Sequence, residues 1–165
     1  MSNIVIYTDG ATSGNGKENA VGGWGWYEPE TEDCDWGSVL TGATNQICEL
    51  MAVLEACRYA EIRLKNASSV GTFPLPQIEI RSDSAYLVNC YKDKWYVNWC
   101  KNGWKNSKKE PVANKELWEE IIPYFEDCCF TFIKVKGHSG EKGNEMADLL
   151  ACRGRDYAKR GCNHD

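Results

Sequence analysis

The chain has 165 residues, of which 42% are hydrophobic, 12% aromatic and 26% charged, with 15 glycines and 5 prolines. These proportions are typical of one folded domain and exclude a disordered, collagen-like or low-complexity chain. No apolar run approaches the roughly 18 residues of a membrane span. The first ten residues lead almost directly into an alternating apolar segment, without the basic and apolar regions of a signal or transit peptide. We therefore expect a cytoplasmic protein with no membrane partner.

Hydrophobic periodicity and turn-forming residues divide the chain into strands and helices. Strands are predicted where apolar residues alternate, and helices where apolar residues recur at i, i+3, i+4 and i+7. In chain order the predicted elements are a strand at Ile4–Thr8, hairpin strands at Gly22–Tyr27 and Trp36–Leu40, a helix at 45–62, a loop at 65–77, a strand at Ile78–Arg81, helices from Ser84 and from Asn114, a strand at Phe130–Val135 and a helix at Gly143–Arg160. We expect Pro123 to kink or end its helix. Three leading strands followed by alternating strands and helices predict an α/β protein with a mixed sheet.

The charge is unevenly distributed along the chain. The total is −5, but residues 92–109 hold six lysines and one aspartate, a local charge of +5 that leaves −10 on the rest. Trp95, Trp99 and Trp104 alternate with these lysines, and such a segment can follow a phosphate backbone and pack on sugars or bases. The alternative is an amphipathic helix whose indoles face the core and whose lysines face water. The acidic segment 28–35 is interpreted as a solvated hairpin tip.

Nine cysteines are many for this length, but their number is odd and no two are spaced as C-x-x-C. His138 and His164 are the only histidines, so a zinc knuckle is not predicted. We expect no disulfide scaffold. Four of the cysteines are interpreted as small core residues: Cys48, Cys57, Cys90 and Cys152.

Four carboxylates occupy positions where an acid needs an explanation. Asp9 directly follows an alternating strand, although Asp-Gly is also a common turn pair. Glu49 shares a helical stripe with alanines and a valine, where a carboxylate is costly unless it is paired, protonated, bound to a cation or able to reach water at the helix end. Asp83 stands where a strand ends and a helix begins, a place where ligands gather in α/β sheets but also a capping position. Asp148 repeats the Glu49 pattern in the last helix, with an exposed acid that pairs with Arg155 or Lys159 as the alternative.

These acids come from two strand ends and two helices, so only folding can bring them together. Hard divalent cations prefer such oxygen ligands, and Mg²⁺ binds few carboxylates together with waters and phosphate oxygens. The set therefore predicts phosphoryl chemistry, in which two ions about 4 Å apart activate a water and stabilise the leaving oxygen. His138 lies between the last strand and the last helix among Gly137, Gly140 and Gly143. There it can carry a proton or simply be solvated.

Six segments occur in a fixed order across residues 4–155: YTDGA, TNQICELMAVLEA, IRSDSAYL, WYVNWCKNGWK, PVANKELW and VKGHSGEKGNEMADLLA. Together they resemble ribonuclease H type 1, and six motifs in register make the match specific. The resemblance implies a five-stranded mixed sheet flanked by helices on both faces, in a single catalytic domain over 1–165 with a C-terminal tail at 156–165. The sequence does not determine the oligomeric state, and we expect by default a monomer without an obligate protein partner.

The activity implied by the resemblance is endonucleolytic hydrolysis of the RNA strand of RNA–DNA hybrids, leaving 3′-hydroxyl and 5′-phosphate ends. The cofactor implied is Mg²⁺, two ions per site, with Mn²⁺ able to replace it. The D-E-D-D metal site of the family maps onto Asp9, Glu49, Asp83 and Asp148, and its loop histidine maps onto His138. By the same resemblance, Asp9 contacts both ions. Glu49 and Asp83 contact the ion nearer the leaving group, and Asp148 contacts the ion that activates water.

The resemblance also implies how the hybrid is held. The segment rich in lysine and tryptophan looks like the basic protrusion with which the family grips the DNA strand. The implied substrate-binding residues are Trp95, Trp99, Lys101, Trp104 and Lys105 in that segment, Asn15, Asn45 and Gln46 in the minor groove, and Thr44 and Asn114 at a DNA phosphate. This division suits a hybrid, because only the RNA strand offers 2′-hydroxyls to hydrogen-bond.

The sequence departs from the family pattern in two places. Gly42 stands where some relatives place an arginine in the phosphate pocket, so we expect a weaker grip on the DNA strand there. The loop at 65–77 is longer than in compact bacterial members, and its role stays open. Because no separate hybrid-binding domain precedes Asp9, we expect affinity to come from the catalytic domain alone.

Three other classes of protein remain as alternatives. The 3′–5′ exonucleases of this general fold usually carry a second acid two residues after the first, whereas Gly10 and Ala11 follow Asp9. A catalytically silent hybrid-binding module would be expected to lack one of the four carboxylates. An acidic protein that merely binds Ca²⁺ would need an EF-hand loop, which the sequence lacks.

Overall fold

The computed structural model describes residues 3–137 and 140–162, with only the backbone for Cys162. Its elements in chain order are β1 (Ile4–Ser13), β2 (Val21–Tyr27), β3 (Cys34–Val39), α1 (Asn45–Ser69), β4 (Ile78–Ser82), α2 (Ala85–Asp93), α3 (Trp95–Asn102), α4 (Lys115–Phe125), β5 (Phe130–Lys134) and α5 (Lys142–Cys162). None of the described helices combines the length and the apolar character that crossing a membrane requires.

The five strands form one mixed sheet in the order β3-β2-β1-β4-β5. The first three strands pair antiparallel, whereas β4 and β5 run parallel to β1. The predicted α/β class and five-stranded mixed sheet are therefore confirmed. Because β1, β4 and β5 are parallel, their carboxyl ends meet at one edge of the sheet, where ligands gather in open α/β sheets.

Helices cover both faces of the sheet, as predicted. Successive residues of a strand face opposite sides. A Cβ atom on Gly22 would overlap the sulfur of Cys48 in α1, whereas one on Gly23 would overlap the backbone carbonyl of Ala151 in α5. The absence of a side chain at Gly22 and Gly23 thus lets α1 and α5 pack closely on opposite faces of β2.

Three of the four cysteines interpreted as core residues are fully buried. Cys48, Cys57 and Cys90 are 0% exposed. Cys152 differs, because it lies partly exposed on α5 near the carboxyl edge of the sheet. The prediction of Cys152 as a core residue is therefore wrong, since its sulfur lies 3.8 Å from Oδ1 of Asp148 and not among buried apolar side chains.

α1 is longer than its apolar pattern predicts. It runs to Ser69, so the predicted loop 65–77 is wrong for its first five residues, and the irregular segment covers only 70–77. Lys65 pairs with Glu61 one turn earlier at 3.7 Å, and the hydroxyl of Ser69 donates to a backbone carbonyl of the last turn. These local contacts extend the helix through residues that composition alone classes as turn formers.

The other helix ends are closer to expectation. α5 continues to Cys162, so residues 156–162 of the predicted tail are helical. Pro123 lies inside α4, which ends two residues later at Phe125, as a residue without an amide hydrogen predicts.

Glu28 corrects the interpretation of the acidic hairpin tip. The tip is exposed from Pro29 to Asp35, but Glu28 is only 1% exposed. Arg63 and the Tyr59 hydroxyl of α1 both donate to its Oε1 atom. The predicted helix end at residue 62 excluded Arg63, and the extra length of α1 is what supplies this counterion.

Candidate active site

β1 and β4 place two carboxylates at the same edge of the sheet. The last residue pair between these parallel strands is Tyr7 with Arg81. Asp9 lies two residues after Tyr7, and Asp83 lies two residues after Arg81. β1 continues beyond Asp9 to Ser13 in antiparallel pairing with β2. The alternative of a turn at the Asp-Gly pair is therefore wrong, and Asp9 is held on a rigid strand.

α1 brings Glu49 to this edge by packing closely against β1. A Cβ atom on Gly10 would lie 2.7 Å from the backbone nitrogen of Glu49, so only glycine permits the approach. Asp83 is free of the capping role, because the hydroxyl of Ser84 accepts the hydrogen bond from the amide of Leu87 at 3.2 Å. One carboxylate oxygen of Asp83 is buried without a hydrogen-bond partner.

Asp148 reaches the same edge from α5, on the opposite face of the sheet. The alternative of pairing with Arg155 is not found, because Arg155 donates to the carboxylate of Asp156 at 3.1 Å. The thiol sulfur of Cys152 lies 3.8 Å from Asp148 Oδ1. The four carboxylates of the sequence analysis thus converge, although their chemical roles stay predictions.

Burial and mutual repulsion raise the pKa values of two of these carboxylates. For Asp9, burial raises the pKa to about 8, with further contributions from Asp83 and Asp148. The amide of Gly10, 2.8 Å from Oδ1 of Asp9, opposes the shift. For Glu49, burial raises the pKa to about 7, and the charge of Asp83 adds to it. Within the described part of the chain, no lysine or arginine forms an ion pair with any of the four.

The four carboxylates form two neighbouring pairs. Asp148 is near enough to Asp9 to raise its pKa, and Asp83 is near enough to Glu49 to do the same. No three of them bring oxygens within 4.8 Å of one another, so they do not form a closed cage. Open pairs of oxygens, with an unpartnered buried oxygen on Asp83, fit hard divalent cations that also bind waters and phosphate oxygens.

A small cavity of about 20 Å³ lies between the two strands and α5, with room for one ion or water. Its lining residues are Asp9, Asp83, Gly137, Asn144, Glu145 and Asp148. Asn144 is 5% exposed and donates to the carbonyl of Lys136 at 3.1 Å. Asn144 and Glu145 line the cavity although neither belongs to the set of site residues predicted from the sequence. The signal for Asn144 was its position four residues before Asp148, on the same helical stripe.

His138, the predicted proton carrier, lies outside the described residues. The described residues on either side of it are attached beside the carboxylates. The carbonyl of Lys136 accepts a hydrogen bond from Asn144 of α5. The carboxylate of Glu141 accepts a hydrogen bond from the hydroxyl of Tyr7 at 2.8 Å. Arg81 donates to the same hydroxyl at 2.6 Å. Both ends of the segment that carries His138 are therefore anchored at the site.

The residues predicted to read the minor groove and those predicted to hold a DNA phosphate lie together on a polar surface at the start of α1. The side-chain oxygen of Asn15 accepts from the amide of Asn45 at 3.0 Å. The side-chain amide of Asn114 donates to Gln46 at 2.6 Å. Thr44 caps the helix by accepting an amide hydrogen bond, which leaves its hydroxyl hydrogen available to a ligand. The geometry brings these residues together, and their contact with nucleic acid stays a prediction.

Gly42 precedes this polar surface in an exposed connection. Its φ is 63°, in the left-handed region that favours glycine. The backbone conformation therefore favours glycine at this position, and the expected weaker grip on the DNA strand stays a prediction.

The basic segment combines the two interpretations left open by its sequence. Trp99 is 5% exposed and packs against a tryptophan of α4 at 5.3 Å and against Trp104 at 5.7 Å, as the amphipathic-helix alternative predicts. Lys101 and Lys105 are exposed. Trp95 and Lys105 line a groove of about 550 Å³. The indoles thus build a rigid platform that presents the lysines, whose contact with nucleic acid stays a prediction.

Proteins of similar sequence and structure identify the family of this chain. A family model described as RNase H matches residues 1–156. The ribonuclease H of Clostridium botulinum is 41% identical over 159 residues, covering 94% of this chain and 97% of that protein. The ribonuclease H of Syntrophomonas wolfei is 44% identical over 154 residues, covering 92% of this chain and 94% of that protein. A solution structure of the PFV RNase H domain has a TM-score of 0.67 at 27% identity, covering 94% of this chain and 95% of that one.

The family model and these relatives show that the chain belongs to the ribonuclease H family, and the fold and the converging carboxylates agree with it. The resemblance to ribonuclease H type 1 is confirmed. The general activity of the family is cleavage of the RNA strand of RNA–DNA hybrids, so the protein is a nuclease of the hydrolase class.

Proposed function

We propose that this ribonuclease H acts as an endonuclease on RNA–DNA hybrids, uses two Mg²⁺ ions and leaves 3′-hydroxyl and 5′-phosphate ends. The observation that supports the proposal is the meeting of four partly buried carboxylates at one sheet edge, where none of the described lysines and arginines forms an ion pair with them. Charges of this kind are costly to bury and cluster at functional sites. Mn²⁺ is expected to substitute, because it accepts the same oxygen ligands.

The two carboxylate pairs suggest how the ligands are shared. Asp9, which neighbours both Asp83 and Asp148, would contact both ions. Asp148 would complete the ion position beside the attacking water. Glu49 and Asp83 would complete the position beside the leaving oxygen. When bound, the two ions activate the water and stabilise the leaving oxygen of an in-line displacement.

The chain itself positions the groups around the reacting phosphate. Asn144 fixes the backbone after β5, and Tyr7 with Arg81 fixes Glu141. We assign to His138, which lies between these anchors in the sequence, the transfer of a proton between the site and solvent. Imidazole suits this role because its pKa is ordinarily close to neutral pH.

Recognition of the hybrid is assigned to two surfaces. The polar surface at the start of α1 would hydrogen-bond the minor groove, where the 2′-hydroxyls of the RNA strand distinguish it from DNA. The exposed lysines on the tryptophan platform would hold the DNA strand by its phosphates. The residues assigned are Asn15, Asn45 and Gln46 in the groove, Thr44 and Asn114 at a DNA phosphate, and Trp95, Trp99, Lys101, Trp104 and Lys105 along the DNA strand.

The test is a gel assay with end-labelled RNA–DNA hybrid, duplex RNA and duplex DNA, each with Mg²⁺ or EDTA. We expect internal cleavage of the RNA strand of the hybrid in Mg²⁺ alone. The matched control is Asp9→Asn, which removes one charge at nearly constant size. Cleavage of duplex DNA, cleavage in EDTA, or a fully active Asp9→Asn variant would contradict the proposal.

The product ends are tested separately. A DNA polymerase should extend the cleaved RNA directly, because a free 3′-hydroxyl is required for extension. Extension that depends on prior phosphatase treatment would show that the assigned ends are wrong.

We further propose a cytoplasmic monomer without an obligate protein partner. Sedimentation of the purified protein at one chain per particle tests its oligomeric state.

A further inference from the structure

The turn between α4 and β5 gathers two thiols and a carboxylate. The carbonyl of Asp127 accepts from the amide of Phe130 at 3.0 Å, which closes the turn. Oδ1 of Asp127 accepts from the amide of Cys129 at 2.8 Å. The side chain of Asp127 therefore folds over the turn that carries Cys128 and Cys129.

The donor atoms of these three residues lie close together. One carboxylate oxygen and the two thiol sulfurs are all within 4.8 Å of one another, and no other set of three His, Cys, Asp or Glu within 3–137 and 140–162 has that spacing. Cys128 is exposed and Cys129 partly exposed, and neither forms a disulfide. Asp127 forms no ion pair with the described lysines and arginines.

We propose that Asp127, Cys128 and Cys129 bind a thiophilic divalent cation of the Zn²⁺ class, with the fourth ligand position open to water. Zn–S and Zn–O bonds of about 2.3 and 2.0–2.2 Å set tetrahedral donors roughly 3.5–3.8 Å apart. The three donors already lie within 4.8 Å of one another, and the side chains of Asp127 and Cys128 are exposed. Binding converts both thiols to thiolates and releases their two protons to solvent.

Sulfur ligands separate this site chemically from the oxygen cluster, because thiolates select Zn²⁺-like ions over Mg²⁺. The two sites are also separate in space. Cys129 immediately precedes Phe130, which pairs with Ile78 at the start of β4, whereas Asp83 follows the last residue of that strand. The five residues of β4 span roughly 16 Å at about 3.3 Å per residue. A cation here would join the end of α4 to the start of β5 without entering the catalytic pocket.

The test titrates the full-length protein with Co²⁺ in excess Mg²⁺ and a non-thiol reductant. We expect a near-ultraviolet thiolate-to-cobalt band that saturates at one ion per chain and disappears when Zn²⁺ displaces Co²⁺. The double variant Cys128→Ser/Cys129→Ser should lose the band, and each single variant should lose roughly half of it. Asp127→Asn should retain a band but weaken the apparent affinity. Cys100→Ser, which removes another exposed thiol, is the matched control and should change nothing.

The proposal is overturned if no band appears, or if the band survives in the double variant. It is also overturned by a band that saturates at one ion per two chains, because the ligands would then come from two molecules. Zn²⁺ should raise the Tm of the parent protein but not of the double variant. Cleavage of hybrid in Mg²⁺ should be equal in both, so failure of this site and failure of the nuclease assignment are distinguishable.

Discussion

Carboxylates are buried in two regions of this protein, and the two regions differ in whether a basic side chain neutralises the buried charge. Beneath the β2–β3 hairpin, Glu28 is 1% exposed and receives hydrogen bonds from Arg63 and Tyr59. At the carboxyl edge of the sheet, Asp9 and Asp83 have other carboxylates as neighbours and no basic partner among the described residues. The first region carries its own counterion, and the second does not.

The difference separates a structural charge from a functional one. A buried carboxylate paired with an arginine and a hydroxyl fixes the packing of a hairpin on a helix. A cluster of carboxylates that repel one another destabilises the folded chain unless a cation binds. The comparison therefore predicts opposite effects of neutralising an acid in the two regions.

The largest effect is expected for Asp9→Asn on activity. Loss of this charge should lower kcat/KM for hybrid cleavage by about three orders of magnitude or more, the scale seen when a group acting in the transition state is removed. Hybrid binding, measured by fluorescence anisotropy, should be largely retained because the basic segment is unchanged. A variant that turns over normally in Mg²⁺ would remove Asp9 from the assigned site.

The second largest effect is expected for Glu28→Leu on stability. It removes the buried carboxylate that accepts from both Arg63 and Tyr59, so that Arg63 keeps only the Tyr59 hydroxyl and Tyr59 keeps only Asp33 as acceptor. The loss should cost about 3 kcal/mol, or roughly 6–12 °C in Tm. Cleavage measured well below both Tm values should be unchanged, because Glu28 is remote from the carboxyl edge. Glu30→Gln, at an exposed position of the same hairpin tip, is the control. An unchanged Tm in Glu28→Leu would show that the pair is not structural.

A smaller effect is expected from pH on the metal-free protein. The pKa of Asp9 is raised to about 8 and that of Glu49 to about 7, so the native state holds protons that the unfolded chain has released above its ordinary carboxylate pKa near 4. Below pH 4 both states are protonated and the effect vanishes. Between about pH 4 and 8 these groups make stability fall as pH rises.

Thermal melts in EDTA should therefore show a Tm advantage of Asp9→Asn that grows from pH 5 to pH 8, by about 2–6 °C. Mg²⁺ at pH 8 should raise the Tm of the parent protein more than that of the variant. The difference between the two melts reports the charge of Asp9 together with its repulsion of Asp83 and Asp148. An advantage that shrinks with rising pH would contradict the electrostatic account.

The smallest effect is expected at the exposed lysines, which belong to neither buried region. Replacing Lys101 and Lys105 by Ala should raise KM and lower the slope of log affinity against log salt by about 2. The kcat value and the Tm should stay close to those of the parent, since both side chains are exposed. A salt slope equal to that of the parent would refute contact between these lysines and the DNA strand.

The sequence predicts most of the fold because the relevant signals are local. Apolar alternation locates all five strands, and helical spacing locates the start of α1 and of α5 within about two residues. Glu49 and Asp148 were identifiable because each interrupts a stripe of small apolar residues, and Asp9 and Asp83 because each follows a buried strand.

The errors occur where an element's extent depends on distant contacts. β1 was predicted to end at Thr8 but runs to Ser13, because β2 continues to pair with it. Ser84 takes the helix cap that Asp83 could also have filled, a choice that the sequence leaves open. The burial of Glu28 was missed because it requires Arg63, more than thirty positions later on the neighbouring helix.

The sequence by itself determined the element order, the mixed sheet and the presence of four acids in unusual surroundings, because periodicity and residue type are properties of short segments. Only the tertiary structure decided which acids meet one another and which acid meets an arginine. The physical reason is that the energy of a charge depends on burial and on distances of a few ångströms. Those distances are set by how strands and helices from remote parts of the chain pack together.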